Sequence, residues 1–92
     1  VQNLVDIHKL DKIGTLNVLE LGAGTGRITK ILIDEGFRHI TAVEVDPNLT
    51  QFMRERFHKS VNILNINAMD LPHQVSPKSV DIIISILPLI YI

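Results

Sequence analysis

The feature that most constrains the fold of this chain is the glycine-rich segment Glu20-Leu-Gly-Ala-Gly-Thr-Gly26. It follows a short apolar run over residues 16–21 and precedes residues 25–35, where apolar side chains recur at helical spacing. The apolar run alternates poorly, as a parallel strand buried on both faces does. A strand, a glycine turn and a helix, in that order, let a backbone approach a ligand at a helix N-terminus. The alternative is that the glycines only form a tight turn.

The rest of the sequence continues this alternation of strands and helices. Asp46 can cap a second helix and Pro47 suits its first position, so that helix is predicted to run to about Lys59. Gly36 is predicted as the C-cap of the helix that follows the glycines. The other predicted elements are a short helix over residues 2–12, strands over residues 39–45, 61–66 and 80–87, and a loop over residues 70–79. The predicted buried stripes are Ile28, Ile31 and Leu32 on the helix after the glycines, and Leu49, Phe52, Met53 and Phe57 on the helix after Asp46.

This order of elements predicts an α/β fold. Strands separated by helices favour parallel pairing through right-handed crossovers. The expected architecture is a partial doubly wound parallel sheet with strand order 3-2-1-4, in a three-layer sandwich. The order reverses between strands 1 and 4, and ligands bind at the carboxyl ends of strands beside such a point.

Composition excludes several classes of function. The chain has 92 residues, a net charge of −1, 46% apolar residues and no cysteine. It makes one domain at most, its charge balance disfavours an electrostatic nucleic-acid binder, and thiolate metal sites and cysteine nucleophiles are excluded. The four histidines lack metal-binding spacing, so no metal site is predicted. With no signal peptide or membrane-spanning pattern, a cytoplasmic protein is expected, with peripheral membrane association as an option.

Two charged features of the sequence each have a functional and a structural interpretation. Glu44 lies near the end of the second predicted strand, where a carboxylate can accept two hydrogen bonds from ribose hydroxyls. The alternative is a solvated or capping carboxylate, although Asp46 already fills the capping role. A basic run, Arg54, Arg56, His58 and Lys59, suits the C-terminal end of a helix dipole, which favours a solvated face over a phosphate or lipid patch.

Four segments in this order resemble class I S-adenosylmethionine-dependent methyltransferases. Residues 18–26 resemble motif I, and residues 42–47 resemble the acidic ribose-binding motif. Residues 67–71 and 83–89 resemble the adenine-binding motif and the motif that ends the fourth strand. The resemblance implies a Rossmann-like fold, S-adenosylmethionine as cofactor, and methyl transfer. Arg27 stands where the G-x-G-x-x-G pattern of dinucleotide-binding folds needs its third glycine, which disfavours an NAD-dependent oxidoreductase.

The resemblance also implies a set of cofactor-binding residues. Asp70 would accept a hydrogen bond from the adenine amine while Met69 or Ala68 covers the ring, and Ser85 would face the methyl group. Glu20 would orient the glycine loop or approach the positive end of the cofactor. The alternatives are a loop or capping role for Asp70, a solvated edge position for Glu20, and a Pro88 that only ends a strand. The full predicted set is Glu20, Gly22, Ala23, Gly24, Thr25, Gly26, Glu44, Val45, Met69, Asp70 and Ser85, and no catalytic residue is assigned.

The methyl acceptor is the least constrained prediction. Ile86 and Leu89 stand where ribosomal RNA adenine dimethyltransferases carry asparagine and tyrosine. Ser85 matches the Ser-Gly-Leu-Pro of bacterial phospholipid N-methyltransferases, although Ile86 replaces its glycine. A lipid or small-molecule acceptor is therefore favoured over nucleic acid.

The chain is expected to be the cofactor-binding part, residues 1–92, of one methyltransferase domain. Relatives of this kind continue with further strands, so a missing C-terminal segment or a homodimer is expected to complete the sheet. Two alternatives stay open beside the disfavoured oxidoreductase. One is a non-catalytic S-adenosylmethionine-binding module, and the other is a fragment of a ribosomal RNA adenine N6-methyltransferase.

Overall fold

Four strands and two helices make up the part of the chain that the computed structural model describes, residues 12–73 and 79–85. In chain order they are β1 (Asn17–Leu21), α1 (Arg27–Asp34), β2 (His39–Val43), α2 (Pro47–Phe57), β3 (Asn62–Leu64) and β4 (Ile82–Ser85). Short 3-10 turns occupy Ile13–Thr15, His58–Ser60 and Ala68–His73. The predicted helix over residues 2–12 lies almost wholly outside the described residues, as does the end of the predicted fourth strand. Neither α1 nor α2 is long and apolar enough to cross a membrane.

The strands form one parallel sheet in the order β3-β2-β1-β4, which confirms the predicted Rossmann-like topology. β1 is central, and Glu20 on this strand lies opposite Ala42 on β2 and Ile84 on β4. β3 extends the sheet on the far side of β2, where Val43 pairs with Leu64. Because the strands are parallel, the carboxyl ends of β1, β2 and β3 lie at the same edge of the sheet. The glycine turn after β1 and the loops after β2 and β3 therefore lie side by side at this edge.

Both helices pack against the same face of the sheet. Alternate strand residues point to that face, and the buried cluster joins them to side chains of α1 and α2. The buried members of this cluster are Val18, Ala23, Leu32, Ile40, Ala42, Met53, Phe57, Val61 and Ile63. Burial of the valine, leucine, isoleucine, methionine and phenylalanine side chains among them stabilises the fold by about 1.5–3 kcal/mol each. The third layer of the predicted sandwich, on the opposite face, stays a prediction.

The buried stripes of the two helices differ from the predicted ones. Ile31 is 49% exposed and Phe52 is 47% exposed, whereas Thr29 and Thr50 are buried. Each threonine hydroxyl has an internal acceptor: Thr29 donates to Glu20 at 2.5 Å, and Thr50 donates to the main-chain carbonyl three residues earlier at 2.9 Å. A buried hydroxyl is tolerated when it is hydrogen-bonded. The buried faces of the two helices therefore include Thr29 and Thr50, which apolar periodicity does not predict, and leave out Ile31 and Phe52, which it does.

Helix boundaries follow from their capping residues. α1 begins two residues later than predicted, because Gly26 takes the N-cap position with φ 90° and ψ 23°. The C-cap of α1 is Glu35 rather than Gly36, which follows it with φ 103°. The predicted cap of α2 is confirmed, since the Asp46 side chain accepts a hydrogen bond from Asn48 N at 2.8 Å.

Candidate functional site

A cavity of about 130 Å³ lies where the carboxyl ends of β1, β2 and β3 meet. Its walls are the start of the glycine loop (residues 22–26), the acidic loop (residues 44–46) and the segment that follows β3. The lining residues are Gly22, Val43, Glu44, Val45, Ile66, Asn67 and Ala68. The structure thus brings parts of the first three predicted motifs to one cavity, with Asn67 and Ala68 coming from the third.

The glycine loop is held by main-chain hydrogen bonds to β2. Gly22 N and Ala23 N both donate to the Val43 carbonyl, at 2.9 and 3.1 Å. Gly24 has φ 62°, and a Cβ built on it would meet no atom within 4 Å. Gly24 therefore leaves open space in which a ligand can approach the main chain. Gly26 has a different role, because its missing Cβ makes room for the Phe57 ring.

Glu44 lies just beyond β2 and connects the two loops. The residue is only 9% exposed. Oε1 accepts a hydrogen bond from Gly24 N at 2.8 Å, and Oε2 accepts one from Asp46 N at 3.1 Å. This burial excludes the solvated alternative. Each carboxylate oxygen has more than one acceptor site, so the same group can hold the loops and still accept a hydroxyl.

Glu20 is fully buried on β1, which excludes a solvated position at a sheet edge. Oε1 accepts the hydrogen bond from Thr29, and Oε2 has no hydrogen-bond partner among the described residues. Burial raises the pKa of the Glu20 carboxyl above its ordinary value of 4.5, and the Thr29 hydrogen bond opposes this in part. Glu20 therefore ties the strand before the glycine loop to the helix after it.

The raised pKa of Glu20 predicts a pH-dependent effect of Glu20→Gln. A folded-state pKa above the unfolded one means that the native state binds more protons, so this group favours folding most below pH 4.5. That contribution is lost as pH rises through the folded-state pKa. Glu20→Gln removes the titrating group, so its stability relative to the unmodified protein should rise between pH 4 and pH 7.

Urea denaturation at several pH values measures this difference. Glu55→Gln is the matched control, because Glu55 lies exposed on α2 and contacts Gln51. A stability difference that is the same at pH 4 and pH 7 for Glu20→Gln would contradict the assignment.

Two contacts at the site are not predicted by the sequence, and in both a side chain donates a hydrogen bond to main-chain carbonyls. Asn65 Nδ2 donates to the carbonyls of Glu44 and Val45, at 3.0 Å each. Arg56 Nη1 donates to the Thr25 carbonyl at 3.0 Å, so this part of the basic run braces the glycine loop rather than forming only a solvated face. The one available signal for Asn65 is an amide side chain inside the apolar run 63–66.

The remaining predicted site residues lie outside the cavity lining. Met69 and Asp70 are exposed in the 3-10 turn after β3, with Met69 84% exposed. Asn67 organises this turn, since its side chain accepts a hydrogen bond from Met69 N at 3.0 Å. Ser85 is exposed at the end of β4, opposite Leu21 in the sheet register. Their binding roles stay predictions.

Comparison with known proteins identifies the family of this chain. Residues 18–92 match the family described as Methyltransferase domain. The match includes the glycine loop, the acidic loop and all four strands except the first residue of β1. The chain therefore belongs to the methyltransferase domain family.

Individual relatives include enzymes named for different acceptors. Ribosomal RNA small subunit methyltransferase A of Onion yellows phytoplasma is 35% identical over 88 residues, covering 83% of this chain and 32% of that protein. Malonyl-[acyl-carrier protein] O-methyltransferase of Acetivibrio thermocellus is 38% identical over 58 residues, covering 62% and 20%. The chain thus spans a third or less of the length of these two relatives.

A solved structure supports the fold. The S-adenosylmethionine dependent methyltransferase from Mesorhizobium loti superposes with a TM-score of 0.75 at 16% identity, covering 99% of this chain and 39% of that one. At this identity the similarity concerns the fold alone.

Proposed function

We propose that this chain binds S-adenosylmethionine at the carboxyl end of its sheet and forms the cofactor-binding part of one methyltransferase domain. Family membership supports the class of reaction. The observation that carries the proposal is the placement of Glu44, whose carboxylate lies at the cavity beside the main chain of the glycine loop. A buried acid at the end of β2 suits ribose hydroxyls.

The residues present fit this cofactor. The open space beside Gly24 suits close approach of a ligand to the main chain, and Glu44 can accept from the ribose. Val45, which is 62% exposed, and Met69 offer apolar surface to an adenine ring, and Asp70 offers an acceptor for its amine. Glu20 holds the loop through Thr29, and Ser85 is proposed to face the methyl group. When bound, the cofactor supplies a methyl group that its sulfonium already activates. The chain's own task is therefore to bind and orient rather than to activate.

For the acceptor, we propose a lipid or small molecule. The likeness of Ser85-Ile-Leu-Pro88 to phospholipid N-methyltransferases and the net charge of −1 support this class. The names of the two relatives make ribosomal RNA and an acyl-carrier-protein-linked carboxylate the alternatives to assay beside it. A cytoplasmic location stays a prediction.

Calorimetric titration tests the cofactor. We expect S-adenosylhomocysteine to bind the purified protein, and we expect NAD not to bind, because Arg27 replaces the third glycine of the dinucleotide pattern. Binding of NAD without binding of S-adenosylhomocysteine would overturn the proposal.

Transfer of a labelled methyl group tests the acceptor. The candidate acceptors are phosphatidylethanolamine vesicles, ribosomal RNA and malonyl-acyl-carrier protein, each incubated with the protein and labelled cofactor. Label in the lipid supports the proposed class, and label only in the RNA or the carrier protein contradicts it. Cofactor binding with no transfer to any acceptor favours a non-catalytic binding module.

A further inference from the structure

Asn65 makes an unusual pair of contacts for a residue that follows an edge strand. It comes directly after β3, and its side-chain nitrogen donates to two consecutive carbonyls, those of Glu44 and Val45. Both distances are 3.0 Å, and the residues lie 21 and 20 positions away in the chain. An amide nitrogen has two hydrogens, so one Asn65 side chain can satisfy both acceptors.

These contacts continue the sheet past the point where its strands end. β2 ends at Val43, and the last main-chain bond between the two segments runs from Glu44 N to the Leu64 carbonyl at 3.0 Å. Beyond it, the acidic loop leaves the sheet to begin α2. There the side chain of Asn65, instead of a main-chain N–H, donates to the carbonyls of Glu44 and Val45. These two hydrogen bonds hold the peptide groups of both residues in place.

The position of the Glu44 main chain decides where its carboxylate points. The carboxylate bonds Gly24 N and Asp46 N only while its own peptide group stays in place. Three hydrogen bonds therefore connect the segment after β3 to the acidic loop and the acidic loop to the glycine loop, and a fourth, from Asp46 N to Glu44 Oε2, lies within the acidic loop. Asn65 lies at the outer end of this set and outside the lining of the cavity.

Neighbouring amides do not share this arrangement. Asn62, on β3 itself, donates to the Thr41 hydroxyl at 3.5 Å at an exposed position. Asn67 uses its side-chain oxygen within its own turn, where it accepts from Met69 N. Asn62 therefore provides a matched control on the same strand segment.

We infer that Asn65 is a positioning residue of the cofactor site, which sets the main chain of Glu44 and Val45 for ribose and adenine. The inference rests on the proposed function for the identity of the ligand. Its geometric part concerns the ligand-free protein. A side chain without a donor at this position releases both carbonyls, and aspartate in addition brings a negative charge toward them.

Asn65→Asp, Asn65→Ala and Asn62→Asp test the inference. Titration with S-adenosylhomocysteine should show affinity about 10-fold lower for Asn65→Ala, lower still for Asn65→Asp, and unchanged for Asn62→Asp. Methylthioadenosine, which lacks the amino-acid end, should lose affinity by the same factor, because Asn65 acts on the nucleoside side of the site. Amide hydrogen exchange in the ligand-free protein should become faster at Gly24 and Asp46 in the Asn65 variants alone.

The outcomes separate the two proposals. Equal affinities and equal exchange rates for the Asn65 and Asn62 variants overturn the role of Asn65. If the unmodified protein binds no S-adenosylhomocysteine, the proposed function fails, and the exchange rates at Gly24 and Asp46 still decide whether Asn65 positions the acidic loop. If Asn65→Asp does not fold, Asn65→Ala decides both measurements, since it adds no charge.

Discussion

Replacement of Gly26 by alanine is expected to destabilise the fold by about 2–5 kcal/mol. Gly26 has φ 90°, which residues with a Cβ rarely adopt. A Cβ there would lie 2.9 Å from Phe57 Cζ, closer still to Cε2 of the same ring, and 3.4 Å from the end of Met53. Phe57 and Met53 are both buried, so the ring has little room to move away. Urea denaturation measures the loss.

Gly24→Ala is the matched control for this prediction. Gly24 also has positive φ, at 62°, but a Cβ on it meets nothing within 4 Å. We expect a loss of only about 1–2 kcal/mol from its backbone conformation. Equal losses for the two variants would show that contact with Phe57 adds nothing to the cost at Gly26. Gly24→Ala should instead weaken S-adenosylhomocysteine binding, because its methyl group enters the space assigned to the ligand.

Glu44→Ala is expected to lower the affinity for S-adenosylhomocysteine by about 10- to 100-fold. Hydrogen bonds to a charged group contribute about 1.5–3 kcal/mol, and the ribose would lose its acceptor. The variant also frees Gly24 N and Asp46 N, so the glycine loop loses its connection to the acidic loop. Calorimetric titration measures the affinity.

Glu44→Gln separates the charge from the shape of this side chain. The glutamine amide keeps one acceptor oxygen, but its nitrogen is a donor and cannot accept the hydrogen bond from the second main-chain N–H. We therefore expect the affinity of Glu44→Gln for S-adenosylhomocysteine to fall as well. Glu55→Gln, on the exposed surface of α2, should bind like the unmodified protein. Full affinity in both Glu44 variants would contradict the ribose assignment.

The fold was predictable because its signals are local. Gly24 and Gly26, placed between a strand and a helix, predicted the turn, and Asp46 followed by Pro47 predicted the start of α2. The alternation of strands and helices then left the strand order 3-2-1-4 as the expected topology. Each of these features depends on residues that are close in sequence.

The buried stripes were mispredicted for a physical reason. Thr29 is buried because Glu20, nine positions earlier, accepts its hydroxyl inside the core. Apolar periodicity carries no information about such a partner, so Ile31 took its place in the predicted stripe. A buried polar pair can be assigned only when both partners are placed in three dimensions.

The binding roles of the candidate site residues stay predictions, whereas the hydrogen bonds among them could not be predicted from the sequence. Glu44 is predicted to bind a ligand, and what the structure shows is that its carboxylate accepts hydrogen bonds from two main-chain N–H groups. The contacts of Asn65 and Arg56 join segments that are 20 to 31 positions apart. No spacing rule within one helix or strand predicts such contacts.

The central position of β1 also sets an order in which the site can assemble during folding. The hydrogen bond from Gly24 N to Glu44 joins residues 20 positions apart in the chain. The hydrogen bond from Asn17 N to Asp81, beside β4, joins residues 64 positions apart. Loop-closure entropy makes the longer closure costlier by about 1 kcal/mol. We therefore expect β1, β2 and the Glu44 connection to form before β4 docks, so that Ser85 is added to a proposed cofactor site whose two loops are already in place.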